Sequence, residues 1–224
     1  SLAVAAVPEG LPAISNSLLA IGIRRMGRRN ILARRMDAIE NLGSIDVLCV
    51  DKTGTLTENR MRVMAIEVSG AETIPARGEE GWDEWLPAVD RRFWEVLTLC
   101  NESQLVDGEL DGSSTENALL EAVLAAGVDV DTLRHGHPRK HVRYRSERRQ
   151  WMATVHEYPR KAGRFVAVKG RPRQVLARCT HLRRGGRRVR LTDGLRERIL
   201  ERNQALMAQS WRVLGVACKH QPKS

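Results

Sequence analysis

The sequence has few aromatic residues and no paired cysteines. Aromatic side chains make up 4% of the 224 residues, and five of them are tryptophans. The four cysteines lie far apart along the chain and form no Cys-x-x-Cys pair. A disulfide framework and a structural zinc site both need closer groups of cysteines. The spacing therefore suggests neither of these and fits a reducing compartment.

Acidic residues are outnumbered, and the chain is strongly basic. There are 37 Lys and Arg against 27 Asp and Glu, so the formal net charge is +10. This excess of positive charge favours binding to nucleic acid, to an anionic membrane surface or to a phosphate-bearing ligand. The most basic run, residues 183–190, lacks the interleaved aromatic residues on which single-strand binders stack bases. It is predicted to be a solvated hairpin, and a basic nucleic-acid-binding module is kept as an alternative function.

Residues 1–23 form a long apolar stretch that carries one charge, Glu9. As a helix this stretch would be about 35 Å long, which is enough to cross a bilayer core. Arginines follow the stretch instead of preceding it, so it is not a signal peptide. By the positive-inside rule, they place residues 24–224 in the cytoplasm. Residues 24–44 are predicted to form a basic helical stalk.

Two prolines, Pro8 and Pro12, interrupt this stretch on either side of Glu9. Prolines break a helix and free its carbonyl groups, and a carboxylate at membrane depth is costly unless it binds something. The residues alone leave two interpretations open. Glu9 and the neighbouring carbonyls form a cation site, or the segment is an interfacial loop or kinked helix.

An apolar run at residues 45–50 leads directly into Asp51. The run predicts a buried strand of a parallel sheet, and ligands bind at the carboxyl ends of such strands. Gly54 allows a tight loop in which backbone N–H groups and the Thr53 and Thr55 hydroxyls face the carboxylate. A carboxylate among such donors suits nucleophilic attack on a phosphoryl group, which gives an aspartyl-phosphate.

Residues 51–57, Asp-Lys-Thr-Gly-Thr-Leu-Thr, resemble the phosphorylation motif of the P-type cation-transporting ATPases without a mismatch. These pumps belong to the haloacid dehalogenase-like superfamily. The segment around Glu9, Pro-Glu-Gly-Leu-Pro, resembles the ion-binding kink of the calcium-pump-like branch. The resemblance implies that Glu9 binds the transported cation, expected to be Ca²⁺. It also implies catalytic residues at Asp51, Lys52, Thr53 and Thr55, with Mg²⁺ held at Asp51 and Thr53.

A phosphatase of the same superfamily is the second alternative. Many of these enzymes carry another Asp two residues after the nucleophile as general acid and base, and here Thr53 takes that place. A threonine hydroxyl is a poor proton shuttle near neutral pH, so water would attack the phosphoenzyme slowly. Thr53 therefore favours the ATPase.

Four later segments resemble nucleotide-binding motifs of the same pumps, in the same order: residues 115–119, 144–148, 169–172 and 212–217. The resemblance implies that ATP is contacted by Glu116, Tyr144, Arg148, Lys169, Gly170 and Arg212. Structural interpretations compete at two of these positions. Glu116 has capping-box spacing to Ser113, and Tyr144 could be a cross-strand aromatic. Lys169 would be a fixed cation on a tight turn at a helix start, suited to a polyphosphate.

In the later part of the chain, residues 151–157 and 164–169 are predicted to form a hairpin, residues 193–208 an amphipathic helix and residues 211–217 a final strand. The predicted fold class is α/β (α+β). It combines part of a haloacid dehalogenase-like phosphorylation domain with an antiparallel-sheet nucleotide-binding domain flanked by helices, after part of a transmembrane helix. The predicted boundaries are 1–23 for the membrane helix end, 24–44 for the stalk, 45–60 for the start of the phosphorylation domain, 61–218 for the nucleotide-binding domain and 219–224 for a return segment.

The resemblance implies a multi-pass pump of the cell membrane as the parent protein. Its partners would be ATP, Mg²⁺, a transported cation and the lipid bilayer, without nucleic acid. In the family, the acidic Mg²⁺ ligand and a phosphate-binding lysine come from sequence that would follow residue 219. We therefore expect this chain alone to bind Mg-ATP weakly without turning it over.

Overall fold

The computed structural model describes residues 11–35, 39, 41, 43–68, 72–75, 89–158 and 163–222. The prediction for Glu9 lies outside these residues. The chain divides into two compact units, Ser1–Glu58 and Asn59–Ser224.

The first unit contains helix α1, Leu11–Gly27. Arg24 and Arg25 lie in its last turn, where positive charge faces the negative end of the helix dipole. The helix ends before a turn in which Asn30 has a φ of 59°, a conformation that stops helices and that asparagine tolerates. Because residues 31–35 are not helical, the predicted stalk helix over 24–44 is wrong in this part. No helix of the described residues is long and apolar enough to cross a membrane.

Residues 45–50 do not form the predicted buried strand. They are exposed and have no regular secondary structure. A strand exists only when its N–H and C=O groups pair with a neighbouring strand, and no described strand lies beside this segment. The apolar pattern is therefore present without the sheet that would bury it.

The second unit contains helices and antiparallel strands. Its helices are α2 (Arg91–Leu99), α3 (Ser114–Ala125), α4 (Val130–His135), α5 (Pro172–Leu176) and α6 (Asp193–Ala208). Its strands are β1 (Ala65–Val68), β2 (Glu72–Pro75), β3 (Gln104–Val106), β4 (Glu109–Asp111), β5 (Arg139–Arg143), β6 (Trp151–Tyr158), β7 (Gly163–Gly170), β8 (His181–Arg184), β9 (Arg187–Arg190) and β10 (Gly215–Pro222).

A four-stranded antiparallel sheet in the order β10-β7-β6-β5 forms the centre of this unit. The predicted hairpin of β6 and β7 is confirmed, as is the mixed α/β class with antiparallel sheets. Strand β10 pairs with β7 along its whole length, from Gly215 beside Gly170 to Pro222 beside Gly163. The last strand therefore begins later than predicted, and residues 219–222 lie in the sheet instead of a return segment.

Helix α2 joins the sheet to the other helices because apolar residues cover most of its circumference. Val96 and Leu99 pack against Phe165 and other side chains of the sheet. Trp94 and Leu97 belong to a second cluster, which includes Leu120 and Val123 of α3. Full burial of such a side chain stabilises the fold by about 1.5–3 kcal/mol. The packing therefore holds α2 against the sheet and α3 against α2.

Two further predictions in this unit are confirmed. The basic run forms the hairpin β8–β9, in which Gly185 and Gly186 both have positive φ. Helix α6 has the predicted bounds and begins at the N-cap Thr192, whose side chain accepts a hydrogen bond from the Leu195 N–H. Leu206 is its buried core residue.

Candidate functional site

The loop after Asp51 closes on itself through backbone hydrogen bonds. The N–H groups of Leu56 and Thr57 both donate to the Lys52 carbonyl, at 3.0 and 3.2 Å. Gly54 has a φ of 79°, a backbone conformation that glycine adopts without strain. The Thr53 N–H donates to Asp51 Oδ1 at 3.4 Å, so one predicted donor faces the carboxylate. Asp51, Lys52, Thr53 and Thr55 are all exposed.

The donor chemistry at Asp51 and Thr53 fits Mg²⁺ in kind. Mg²⁺ prefers oxygen ligands and is usually bound by one or two carboxylates together with substrate phosphates and water. In the described part of the chain, no group of three or more His, Cys, Asp or Glu residues could hold a metal by itself. Asp51 and Thr53 would thus supply part of a coordination shell.

Lys169 lies at the end of β7 and points into the interior of the second unit. It is 5% exposed, because strand alternation places it on the helix-covered face with Ala167 and Phe165. A buried ammonium is costly unless it is paired, and the Lys169 Nζ donates to the Glu116 carboxylate. The prediction of a cation on the turn is therefore corrected: Lys169 is a paired cation inside the strand end.

Glu116 forms only half of the predicted capping box. Its backbone N–H donates to the Ser113 Oγ at 3.4 Å, so Ser113 caps α3 as expected. Its carboxylate instead contacts Lys169 and accepts a hydrogen bond from the Glu102 N–H at 3.3 Å. The stronger charge partner decides where the carboxylate points.

Tyr144 follows β5 and is 56% exposed, so it is not a cross-strand aromatic within the sheet. Its hydroxyl donates to Glu102 Oε1 at 2.9 Å. This hydrogen bond raises the pKa of the Tyr144 phenol. Tyr144 is thereby linked through Glu102 to Glu116 and Lys169, and these four residues are called the Glu116 cluster below.

The three other predicted nucleotide contacts differ in position. The Arg212 guanidinium donates to Thr115 Oγ1 at 3.1 Å, which places it beside the Glu116 cluster. Arg148 is exposed in the loop between β5 and β6, and within the described part of the chain it forms no hydrogen bond or ion pair with the cluster. Gly170 has a structural role: a Cβ there would lie 2.4 Å from the Trp151 Cα and 2.5 Å from the Gln150 oxygen.

Sequence reasoning missed Glu102. It lies in the connection between α2 and β3 and is half-exposed, and nothing in its immediate sequence separates it from a solvated surface acid. The neighbouring residues carry a weak signal. Asn101 and Ser103 are buried, and the Asn101 side chain accepts from the Ser103 N–H at 2.8 Å, as in an Asx turn.

Comparison with known proteins assigns the family. The family model for the P-type ATPase cytoplasmic domain N matches residues 91–224, which include the Glu116 cluster and all four strands of the central sheet. The chain belongs to the P-type ATPases. This family membership confirms the predicted resemblance of the chain to the P-type ATPases.

Similar proteins from bacteria and mammals extend the match to nearly the whole chain. Calcium-transporting ATPase 1 of Bacillus cereus is 36% identical over 98% of this chain and 24% of its own length. Cation-transporting ATPase pma1 of Synechocystis sp. is 39% identical over 98% of the chain and 26% of its own length. Human calcium-transporting ATPase type 2C member 1 is 32% identical over 97% of the chain and 25% of its own length. The chain spans about a quarter of the length of these relatives.

Proposed function

We propose that this chain supplies the phosphorylation loop and the ATP-binding domain of a membrane pump that moves cations through an aspartyl-phosphate intermediate. One observation carries the proposal. Glu116, Tyr144 and Lys169 come from distant parts of the sequence, yet hydrogen bonds join them in one cluster inside the matched domain. The family membership and the names of the similar proteins support the assignment to a pump.

The chemistry of the Glu116 cluster suits an adenine nucleotide. The half-exposed ring of Tyr144 offers a stacking face, and the Glu116 carboxylate can accept a hydrogen bond from an exocyclic amine. Lys169 and, beside the cluster, Arg212 provide positive charge for the phosphates. Because Lys169 is paired with Glu116, a bound nucleotide would share or displace this ion pair.

At the loop, the Asp51 carboxylate would attack the γ-phosphorus of ATP while the bond between that phosphorus and the bridging oxygen breaks and ADP leaves. Mg²⁺, held in part by Asp51 and Thr53, would neutralise phosphate charge. Lys52 and Thr55 would complete the loop.

Glu9 would bind the transported cation, which is expected to be Ca²⁺. The pump would be embedded in the cell membrane, and residues 24–224 would lie in the cytoplasm.

Replacing Lys169 with glutamine tests the nucleotide site. Glutamine can still donate a hydrogen bond to Glu116 but carries no charge for the phosphates. We expect the chain to bind Mg-ATP saturably and Lys169→Gln to weaken binding by about tenfold, as loss of a charge-assisted hydrogen bond does. Isothermal titration of the whole chain measures the affinity, and thermal unfolding shows whether the variant is folded.

The matched control is Lys140→Gln, because Lys140 lies on β5 in an exposed ion pair with Glu157 at 3.0 Å. It should leave ATP affinity unchanged. Equal loss in both variants would point to a general effect of charge and not to a site. A parallel titration with single-stranded DNA addresses the basic-module alternative: steeply salt-dependent DNA binding without ATP binding would refute the proposal.

A further inference from the structure

The Tyr144 hydroxyl makes a contact that a phenylalanine ring, which has no hydroxyl, could not make. The hydroxyl donates to Glu102 Oε1 at 2.9 Å. An exposed aromatic side chain at the end of a strand can otherwise change rotamer freely. The bond therefore fixes a ring that is not held by burial.

The acceptor, Glu102, is itself held firmly. Its backbone N–H donates to the Glu116 carboxylate at 3.3 Å. On either side of it, Asn101 and Ser103 are buried and bonded to α3: the Asn101 amide donates to the Glu116 carbonyl at 3.0 Å, and the Ser103 hydroxyl donates to the Asn117 side chain at 2.6 Å. These hydrogen bonds fix the connection between α2 and β3 that carries the half-exposed Glu102 carboxylate.

The other end of Tyr144 is also fixed. The Arg149 guanidinium donates to the Tyr144 carbonyl through two nitrogens, at 3.2 and 2.8 Å. Arg139 Nη1 lies 3.9 Å from the same Glu102 oxygen that accepts from the tyrosine, so positive charge holds that carboxylate near the ring. The backbone and the tip of the side chain are both restrained.

We propose that Glu102 is a positioning residue of the nucleotide site, which holds the Tyr144 ring in its stacking orientation before the nucleotide arrives. This inference rests on the proposed ATP-binding function. A ring ordered in advance loses less conformational entropy on binding, so the hydrogen bond increases the affinity for an adenine nucleotide. Glu102 does not need to touch the nucleotide to have this effect.

Four variants of the whole chain test the inference through Mg-ATP affinity. Tyr144→Phe keeps the ring and removes the hydroxyl, and Glu102→Ala removes the acceptor. Each should weaken binding by about three- to tenfold, and the double variant should be no weaker than either single variant. Glu102→Gln should retain most of the affinity, because its amide oxygen can still accept the hydrogen bond.

A spectroscopic titration provides a readout that does not depend on ATP. The chain has two tyrosines, so ionisation of Tyr144 can be assigned by its loss in Tyr144→Phe. Because the hydrogen bond to Glu102 raises the phenol pKa, Glu102→Ala should ionise Tyr144 at lower pH. Glu157→Ala, an exposed acid on β6, should change neither the titration nor the ATP affinity.

The outcomes separate this inference from the proposed function. If Lys169→Gln weakens ATP binding while Tyr144→Phe and Glu102→Ala bind like the unmodified chain, the positioning role is refuted and the ATP site stands. Tighter binding in those two variants would also refute it, since the contact would then obstruct the site. If the unmodified chain binds no ATP, both proposals fail.

Discussion

At the scale of single residues, the decisive feature is the ion pair between Lys169 and Glu116. The two side chains are 6% and 18% exposed, so neither charge could be left alone without a large desolvation cost. The sequence pointed to both residues as nucleotide contacts, with Lys169 on a phosphate-binding turn and a helix cap as the competing interpretation of Glu116. Their contact joins residues 53 positions apart, which no local pattern can reveal.

Removing one partner of this pair should destabilise the fold. We expect Glu116→Ala to lower the free energy of unfolding by about 3 kcal/mol, because it leaves the Lys169 ammonium buried without its carboxylate. Adding Lys169→Met should recover part of that loss. Urea unfolding followed by circular dichroism measures both. Glu157→Ala, which breaks an exposed pair, should cost less than about 1 kcal/mol, and an equal cost in both alanine variants would contradict the argument.

At the scale of elements, periodicity and turn residues predicted most of the second unit. The β6–β7 hairpin, the β8–β9 hairpin and α6 form as expected because each depends on contacts close in sequence. The predictions of a strand at residues 45–50 and of a stalk helix through residues 31–35 were wrong. A strand needs a partner strand, and a helix needs its whole segment to avoid left-handed residues such as Asn30.

At the end of the β6–β7 hairpin, the neighbouring backbone leaves no room for a side chain at Gly170. Gly170→Ala should destabilise the chain by about 2 kcal/mol, because the added methyl group would overlap the backbone at Gln150 and Trp151. Gly194→Ala is the matched change. Gly194 lies in helix α6, and a methyl group added there would meet no atom of the described residues within 4 Å outside its adjacent residues and its own helix backbone. It should stabilise the chain by about 0.5 kcal/mol. Urea unfolding compares the two variants, and equal effects would count against the close approach.

At the scale of the whole molecule, the two units differ in how their backbones are paired. The central sheet and α2 bury the apolar residues of the second unit. The described residues around Asp51 are exposed, including the apolar run that precedes it. The residues implied for phosphoryl transfer therefore lie in a loop closed by its own backbone, while those implied for nucleotide binding lie in a packed domain.

Amide hydrogen exchange should reveal this contrast. We expect residues 45–50 to exchange rapidly, because they are exposed and belong to no strand or helix, and β6 and β7 to exchange slowly in the centre of the sheet. Mass spectrometry of proteolytic fragments resolves the two regions. Strong protection of residues 45–50 would show that this segment pairs with another strand in solution.

The sequence by itself determined the family, because the motifs that resemble it, at residues 51–57 and in the later segments, consist of consecutive residues. It also determined most helices and hairpins of the second unit, since their periodicity and caps are local. Only the tertiary structure decided that Glu116 faces Lys169, that Glu102 links Glu116 to Tyr144 and that residues 45–50 remain unpaired. Burial and long-range pairing settle those questions, and both depend on which distant elements pack together.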